Sequence, residues 1–124
     1  MPFRDALVVD DDPDGRDALA QILEAHGYTV RQAENGRVAL DLIAERLPRV
    51  MLLDLEMPVM TGWEVLESLK RTSALLTIRI VVLSAGASPP KGVAFMSKPC
   101  RVEDLLHEIG ERGDAAPSGA HLVS

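Results

Sequence analysis

The sequence predicts an α/β domain: a parallel sheet with helices on both faces. Three observations predict it. Short apolar runs alternate with amphipathic helical stretches along the chain. The run at 49–54 (RVMLLD) is apolar at successive positions, as a central parallel strand buried on both faces must be. Gly, Pro and Asn punctuate the transitions between runs. With 124 residues, the chain has room for one domain.

The elements follow in order. Residues 5–9 (DALVV) read as a strand that stops at three aspartates. Residues 13–26 read as a helix, with Leu19, Ile22 and Leu23 on one face, Asp12 as N-cap, Pro13 in the first position and Gly27 just past the end. Residues 28–33 (YTVRQA) form the second strand, and Asn35-Gly36 a turn. In 37–46, Val38 with Leu42 and Ala39 with Ile43 fall at helical spacing, and Pro48 ends that helix. After the strand at 49–54, residues 55–62 form a loop and 63–71 a helix. Residues 78–84 (IRIVVLS) and 93–97 (VAFMS) are the fourth and fifth strands, and 102–112 the last helix. The domain is therefore expected over 1–112. The small, polar segment 113–124 is expected to be a disordered tail or a linker cut short.

Composition removes whole classes of function. Against 13 Lys+Arg stand 19 Asp+Glu, a formal charge of −6, so nothing here would neutralise a row of nucleic-acid phosphates. No basic run suits an anionic membrane surface, and no apolar stretch approaches the roughly 20 residues of a membrane span. The lone Cys100 allows no internal disulfide and fits a reducing, cytoplasmic setting.

In an open parallel sheet, ligands bind beyond the carboxyl ends of the strands. Those ends carry Asp10, Asp11 and Asp12 after the first strand, Asp54 at the third, Ser84 at the fourth and Lys98 at the fifth. Carboxylates brought together from two strands repel one another unless a cation compensates. Hard oxygen ligands in an incomplete cage suit Mg²⁺. A carboxylate can attack phosphorus to give an aspartyl phosphate, and Asp54, between apolar Leu53 and Leu55, is the best placed nucleophile. Lys98 would balance phosphoryl charge and the Ser84 hydroxyl would bond a phosphoryl oxygen. Asp12 reads instead as a helix cap.

Four motifs now carry a resemblance. Leu7-Val8-Val9-Asp10-Asp11-Asp12 with Arg16, Asp54-Leu55-Glu56-Met57-Pro58-Val59-Met60-Thr61-Gly62, Leu83-Ser84-Ala85 and Lys98-Pro99 stand in order at the four strand ends. Together they resemble the receiver domain of two-component response regulators, over residues 5–112. The resemblance implies a flavodoxin-like, doubly wound five-stranded sheet of order 2-1-3-4-5. It implies a regulatory domain rather than an enzyme, with Asp54 accepting a phosphoryl group from a sensor histidine kinase or a phosphotransfer protein and then engaging a downstream protein. It places Mg²⁺ at Asp10, Asp11, Asp54 and the backbone carbonyl of Glu56. It makes Ser84 and Phe95 the switch pair, and the Lys98-Pro99 bond cis.

The chain departs from the family pattern in two places. Thr61 stands where many members have an acidic or amide residue. Between Ser84 and Lys98, the stretch 85–92 (AGASPPKG) has two prolines, two glycines and no apolar periodicity, so the fourth helix is expected to be missing or reduced. Its loss would uncover an aliphatic strip near residues 80–95, a candidate homodimer or partner surface. Two alternatives stay open: a binding module on the same fold that works without phosphorylation, and an aspartyl-nucleophile phosphatase with Glu56 as its second acid.

Overall fold

The computed structural model describes residues 4–72, 77–86, 93–98, 100–109 and 122–123. Strands β1 (Asp5–Val9), β2 (Thr29–Ala33), β3 (Val50–Asp54), β4 (Arg79–Ser84) and β5 (Ala94–Ser97) form one parallel sheet in the order β2-β1-β3-β4-β5. Helices α1 (Pro13–Ala25), α2 (Gly36–Glu45), α3 (Gly62–Lys70) and α4 (Val102–Glu108) connect or flank them. The doubly wound, flavodoxin-like sheet expected from the sequence is the one observed. A short antiparallel pair, β6 (Cys100–Arg101) with β7 (Leu122–Val123), lies apart from it. None of the described helices is long and apolar enough to cross a membrane.

Side-chain alternation divides the core in two. Leu7, Val9, Met51, Leu53, Ile80 and Val82 point to the face covered by α2 and α3. Ala6, Val8, Leu52, Val81 and Leu83 point to the face covered by α1 and α4. β1 and β3 are buried at every position, which is why their sequences read as unbroken apolar runs rather than alternating ones. The winding reverses between β1 and β3, so the crevice at their carboxyl ends is where a ligand site belongs.

The helix starts explain several polar residues. Asp12 accepts a hydrogen bond from the Gly15 N–H at 3.2 Å and caps α1. Asn35-Gly36, expected as a turn, is instead the N-cap and first residue of α2, with the Asn35 side chain accepting from Val38 N–H at 2.9 Å. Thr61 and Glu64 form a reciprocal capping box at the start of α3, which gives the unusual Thr61 a structural task. The last helix is shorter than the expected 102–112: it ends at Glu108, with Ile109 as C-cap directly before Gly110.

The aliphatic strip expected to lie uncovered near residues 80–95 is not exposed on β4. Ile78, Ile80 and Val82 are at most 5% exposed and sit in the α2/α3-side cluster, where Leu66 and Leu69 of α3 also pack. Val93 and Phe95, on the β5 side of that cluster, are half-buried. The expectation of a missing or reduced fourth helix concerns the link whose residues 87–92 lie outside the described residues, as do Pro99 and its peptide bond and most of segment 113–124.

Candidate functional site

Parallel pairing brings four strand ends to one edge. Asp54 of β3 stands opposite Leu83 of β4, and the ladder runs one step further through Leu55 N–H to the Leu83 carbonyl at 3.1 Å. Lys98 N–H donates to the Ser84 carbonyl at 2.9 Å, joining the ends of β4 and β5. Asp10 N–H donates to the Ala33 carbonyl at 3.1 Å, so the residue after β1 is also held by sheet geometry. Arg16 reaches back from α1 to the Asp10 carbonyl at 2.9 Å and to the Gln32 side chain at 3.0 Å.

Asp10, Asp11 and Asp54 each present a carboxylate oxygen, and the three atoms lie within 4.8 Å of one another. Asp10 and Asp54 are 2% and 6% exposed, while Asp11 faces solvent. Lys98 extends into the cluster, its Nζ 3.1 Å from Asp10 Oδ2 and 3.7 Å from Asp54 Oδ1. Asp10 Oδ1 also accepts from Asp12 N–H at 3.0 Å, and Asp54 Oδ1 from Glu56 N–H at 3.2 Å. Burial pushes the Asp54 carboxyl up to about 6; Lys98 pulls it down, Asp10 pushes it further up, and the upward effects win. Lys98 shows the converse. Burial alone would lower its ammonium, but Asp10 and Asp54 more than offset this and leave it raised and charged.

Three carboxylates therefore face one ammonium. The donor set is all oxygen, one ligand is open to solvent, and the charge left over is negative, which fits a hard divalent cation such as Mg²⁺ held by Asp10, Asp11 and Asp54. The Glu56 side chain is not part of this group. Its Oε2 accepts a hydrogen bond from the Ser84 hydroxyl at 2.6 Å. Ser84 is fully buried, and its Oγ also accepts from Gly86 N–H at 3.3 Å. Phe95 lies half-buried against the α2/α3-side core.

The loop after Asp54 is held tightly. Met60 N–H donates to the Pro58 carbonyl at 2.8 Å, closing a γ-turn centred on Val59, whose φ of 71° is strained for a β-branched residue. A Cβ on Gly62 would stand 2.4 Å from the Asp54 carbonyl oxygen, so α3 can begin against the Asp54 backbone only with glycine there. Trp63 follows directly and is 43% exposed.

The Asp54 signal was readable because an ionisable residue ending a wholly apolar strand has few inert explanations. The Glu56–Ser84 bond had only a positional signal: Glu56 lies two residues past the end of β3, beside the end of β4.

Comparison with known proteins points the same way. The response regulator MprA of Mycolicibacterium vanbaalenii is 41% identical over 114 positions, covering 86% of this chain but 48% of MprA, so the chain spans about half the length of that relative. An uncharacterised 14.6 kDa protein of Leptolyngbya boryana is 40% identical, with 94% of this chain and 95% of that protein covered. Among solved structures, a CheY-like response regulator receiver domain protein of Methanospirillum hungatei superposes with a TM-score of 0.75 at 32% identity, covering 85% of this chain and 90% of that one. The response regulator TrrA of Thermotoga maritima, solved in complex with Mg²⁺-BeF, gives 0.76 at 26% identity, covering 86% and 96%. Residues 6–109 match the family described as the response regulator receiver domain, and with the sheet order and the acidic edge already in hand, the chain belongs to that family.

Proposed function

We infer that the chain is a phospho-accepting signalling domain of a two-component system, in which Asp54 takes a phosphoryl group from a phosphohistidine on a sensor histidine kinase or phosphotransfer protein. The observation that carries this reading is the convergence of Asp10, Asp11 and Asp54 within 4.8 Å, with the Lys98 ammonium at ion-pair distance. The expected compartment is the cytoplasm, where Cys100, a free and buried thiol, stays reduced.

In this reading an Asp54 carboxylate oxygen attacks phosphorus. A P–O bond forms, the P–N bond to the donor imidazole breaks, and the imidazole leaves as the neutral base after taking up a proton. Asp10, Asp11, Asp54 and the Glu56 carbonyl would hold Mg²⁺, which would supply positive charge toward the phosphoryl oxygens. Lys98 supplies it from the other side. Glu56 N–H holds Asp54 Oδ1 and thereby fixes the rotation of the carboxylate. Afterwards the new acceptor oxygens recruit Ser84, Phe95 follows, and a surface around β5 changes for a downstream protein.

The phosphatase alternative requires Glu56 as a proton donor, yet its Oε2 is engaged as an acceptor from Ser84. The decisive experiment is incubation with phosphoramidate and Mg²⁺, followed by intact mass measurement. One phosphoryl group should be gained by the natural chain and none by Asp54→Asn. No gain in the natural chain would instead support the binding module that works without phosphorylation.

A further inference from the structure

Ser84 has a single hydroxyl proton. In the structure that proton goes to Glu56 Oε2 at 2.6 Å, while the Ser84 oxygen accepts from Gly86 N–H at 3.3 Å. A phosphoryl oxygen on Asp54 that is to bond Ser84 needs the same proton. The two acceptors are therefore mutually exclusive, and the one in place is a short, charge-assisted bond to a carboxylate.

The backbone makes the competition local. Glu56 N–H is bonded to Asp54 Oδ1 at 3.2 Å, and Leu55 N–H holds the Leu83 carbonyl at 3.1 Å, immediately before Ser84. One short stretch of chain thus touches the phospho-acceptor through its amide and the switch hydroxyl through its side chain. Ser84 is fully buried, so water does not compete for its proton, whereas Glu56 is exposed and free to swing away.

We propose that Glu56 is a positioning residue that latches Ser84 in the unphosphorylated protein, so that the switch closes only when the phosphoryl group takes the Ser84 proton from it. The proposal rests on the phospho-acceptor reading above. The latch sets the threshold of the switch: it biases the resting state against the active arrangement without touching the nucleophile. A second effect adds to it, because the Glu56 carboxylate and an incoming phosphoryl group carry charge of the same sign.

The test separates these two effects. Beryllofluoride with Mg²⁺ serves as the probe, its binding read by Trp63 fluorescence in the full chain carrying Glu56→Ala or Glu56→Gln, each with and without Ser84→Ala. If the latch exists, Glu56→Ala binds the probe about tenfold more tightly when Ser84 is present and changes it less than about twofold when Ser84 is absent, the size of one charge-assisted hydrogen bond. Glu56→Gln, which keeps a weaker acceptor, should fall between. In the metal-free protein, the Gly86 amide resonance should shift in Glu56→Gln, because its acceptor is the Ser84 oxygen whose own hydrogen bond to position 56 has been weakened. An equal gain in both Ser84 backgrounds, or an unmoved Gly86 resonance, overturns the latch while leaving the phospho-acceptor reading intact. Failure of the natural chain to bind beryllofluoride or to gain a phosphoryl group overturns both.

Discussion

Asp5 and Asp54 sit at opposite ends of the sheet, both buried, and the fold treats them in opposite ways. Asp5, at the start of β1, is met by Arg46 at 2.8 Å and Arg31 at 3.4 Å, two cations for one carboxylate. Arg31 also donates to the Leu42 and Arg46 carbonyls at 2.8 Å each, so the clamp ties β1, β2 and the end of α2 together. At the other end, the Lys98 ammonium pairs with both Asp54 and Asp10, and Asp11 adds a third carboxylate beside them. The charge of the first acid is answered by the protein through Oδ2, while its Oδ1 is buried without a hydrogen-bond partner. The second is left with a deficit of about two positive charges, the amount a divalent cation carries. A buried charge compensated from within is structure, and one left short is a site.

The most severe way to break this contrast is at Asp54 itself. Asp54→Asn should abolish phosphorylation, read by intact mass after phosphoramidate treatment. It should also raise the stability of the metal-free protein at pH 7 by about 2–3 kcal/mol in urea denaturation, because it removes a buried, repelled carboxylate. Asp5→Ala should do the reverse. It strands the half-buried clamp, lowers stability by about 2–3 kcal/mol in the same assay, and leaves the Mg²⁺-induced change in Trp63 fluorescence in place.

The contrast sharpens with pH. The Asp54 carboxyl, raised to about 6 in the folded chain against an ordinary 3.8, keeps its proton after the unfolded chain has lost its own. Its contribution to stability therefore falls as pH rises from near 4 to near 6 and is constant above that. The loss should be about 2–3 kcal/mol in metal-free protein, absent in Asp54→Asn, and reduced when Mg²⁺ is present to favour the ionised form. The smallest stability effect belongs to Asp11→Ala. As an exposed residue it should change stability by less than about 0.5 kcal/mol, yet remove the Mg²⁺ response of Trp63.

The two ends also differ in how far the sequence discloses them. The Asp10–Asp54–Ser84–Lys98 edge was legible because each residue terminates an apolar strand, and parallel pairing forces strand ends together. The strands themselves were placed to within about one residue at each end, because β-branched and apolar runs stop where solvent begins. The Asp5 clamp was not legible. It joins residues 5, 31 and 46 through side chains reaching across β2 and the end of α2, and no spacing in the chain announces it. The Glu56–Ser84 bond was hidden for a related reason, since it depends on one rotamer of an exposed side chain. Asn35-Gly36 misled because a residue that favours turns also favours helix caps, and only the partner, Val38 N–H, tells them apart.

The backbone bond from Lys98 N–H to the Ser84 carbonyl has a consequence for how this architecture tolerates change. It welds the hydroxyl and the ammonium to neighbouring rungs of the sheet, whatever chain runs between them. Extra residues spliced in between Gly86 and Val93, or a helical turn grafted there, would alter the outer contour while the chemistry keeps its spacing. Diversity of output can accumulate in that connector without retuning the reaction, much as a socket accepts different plugs so long as its pins stay put.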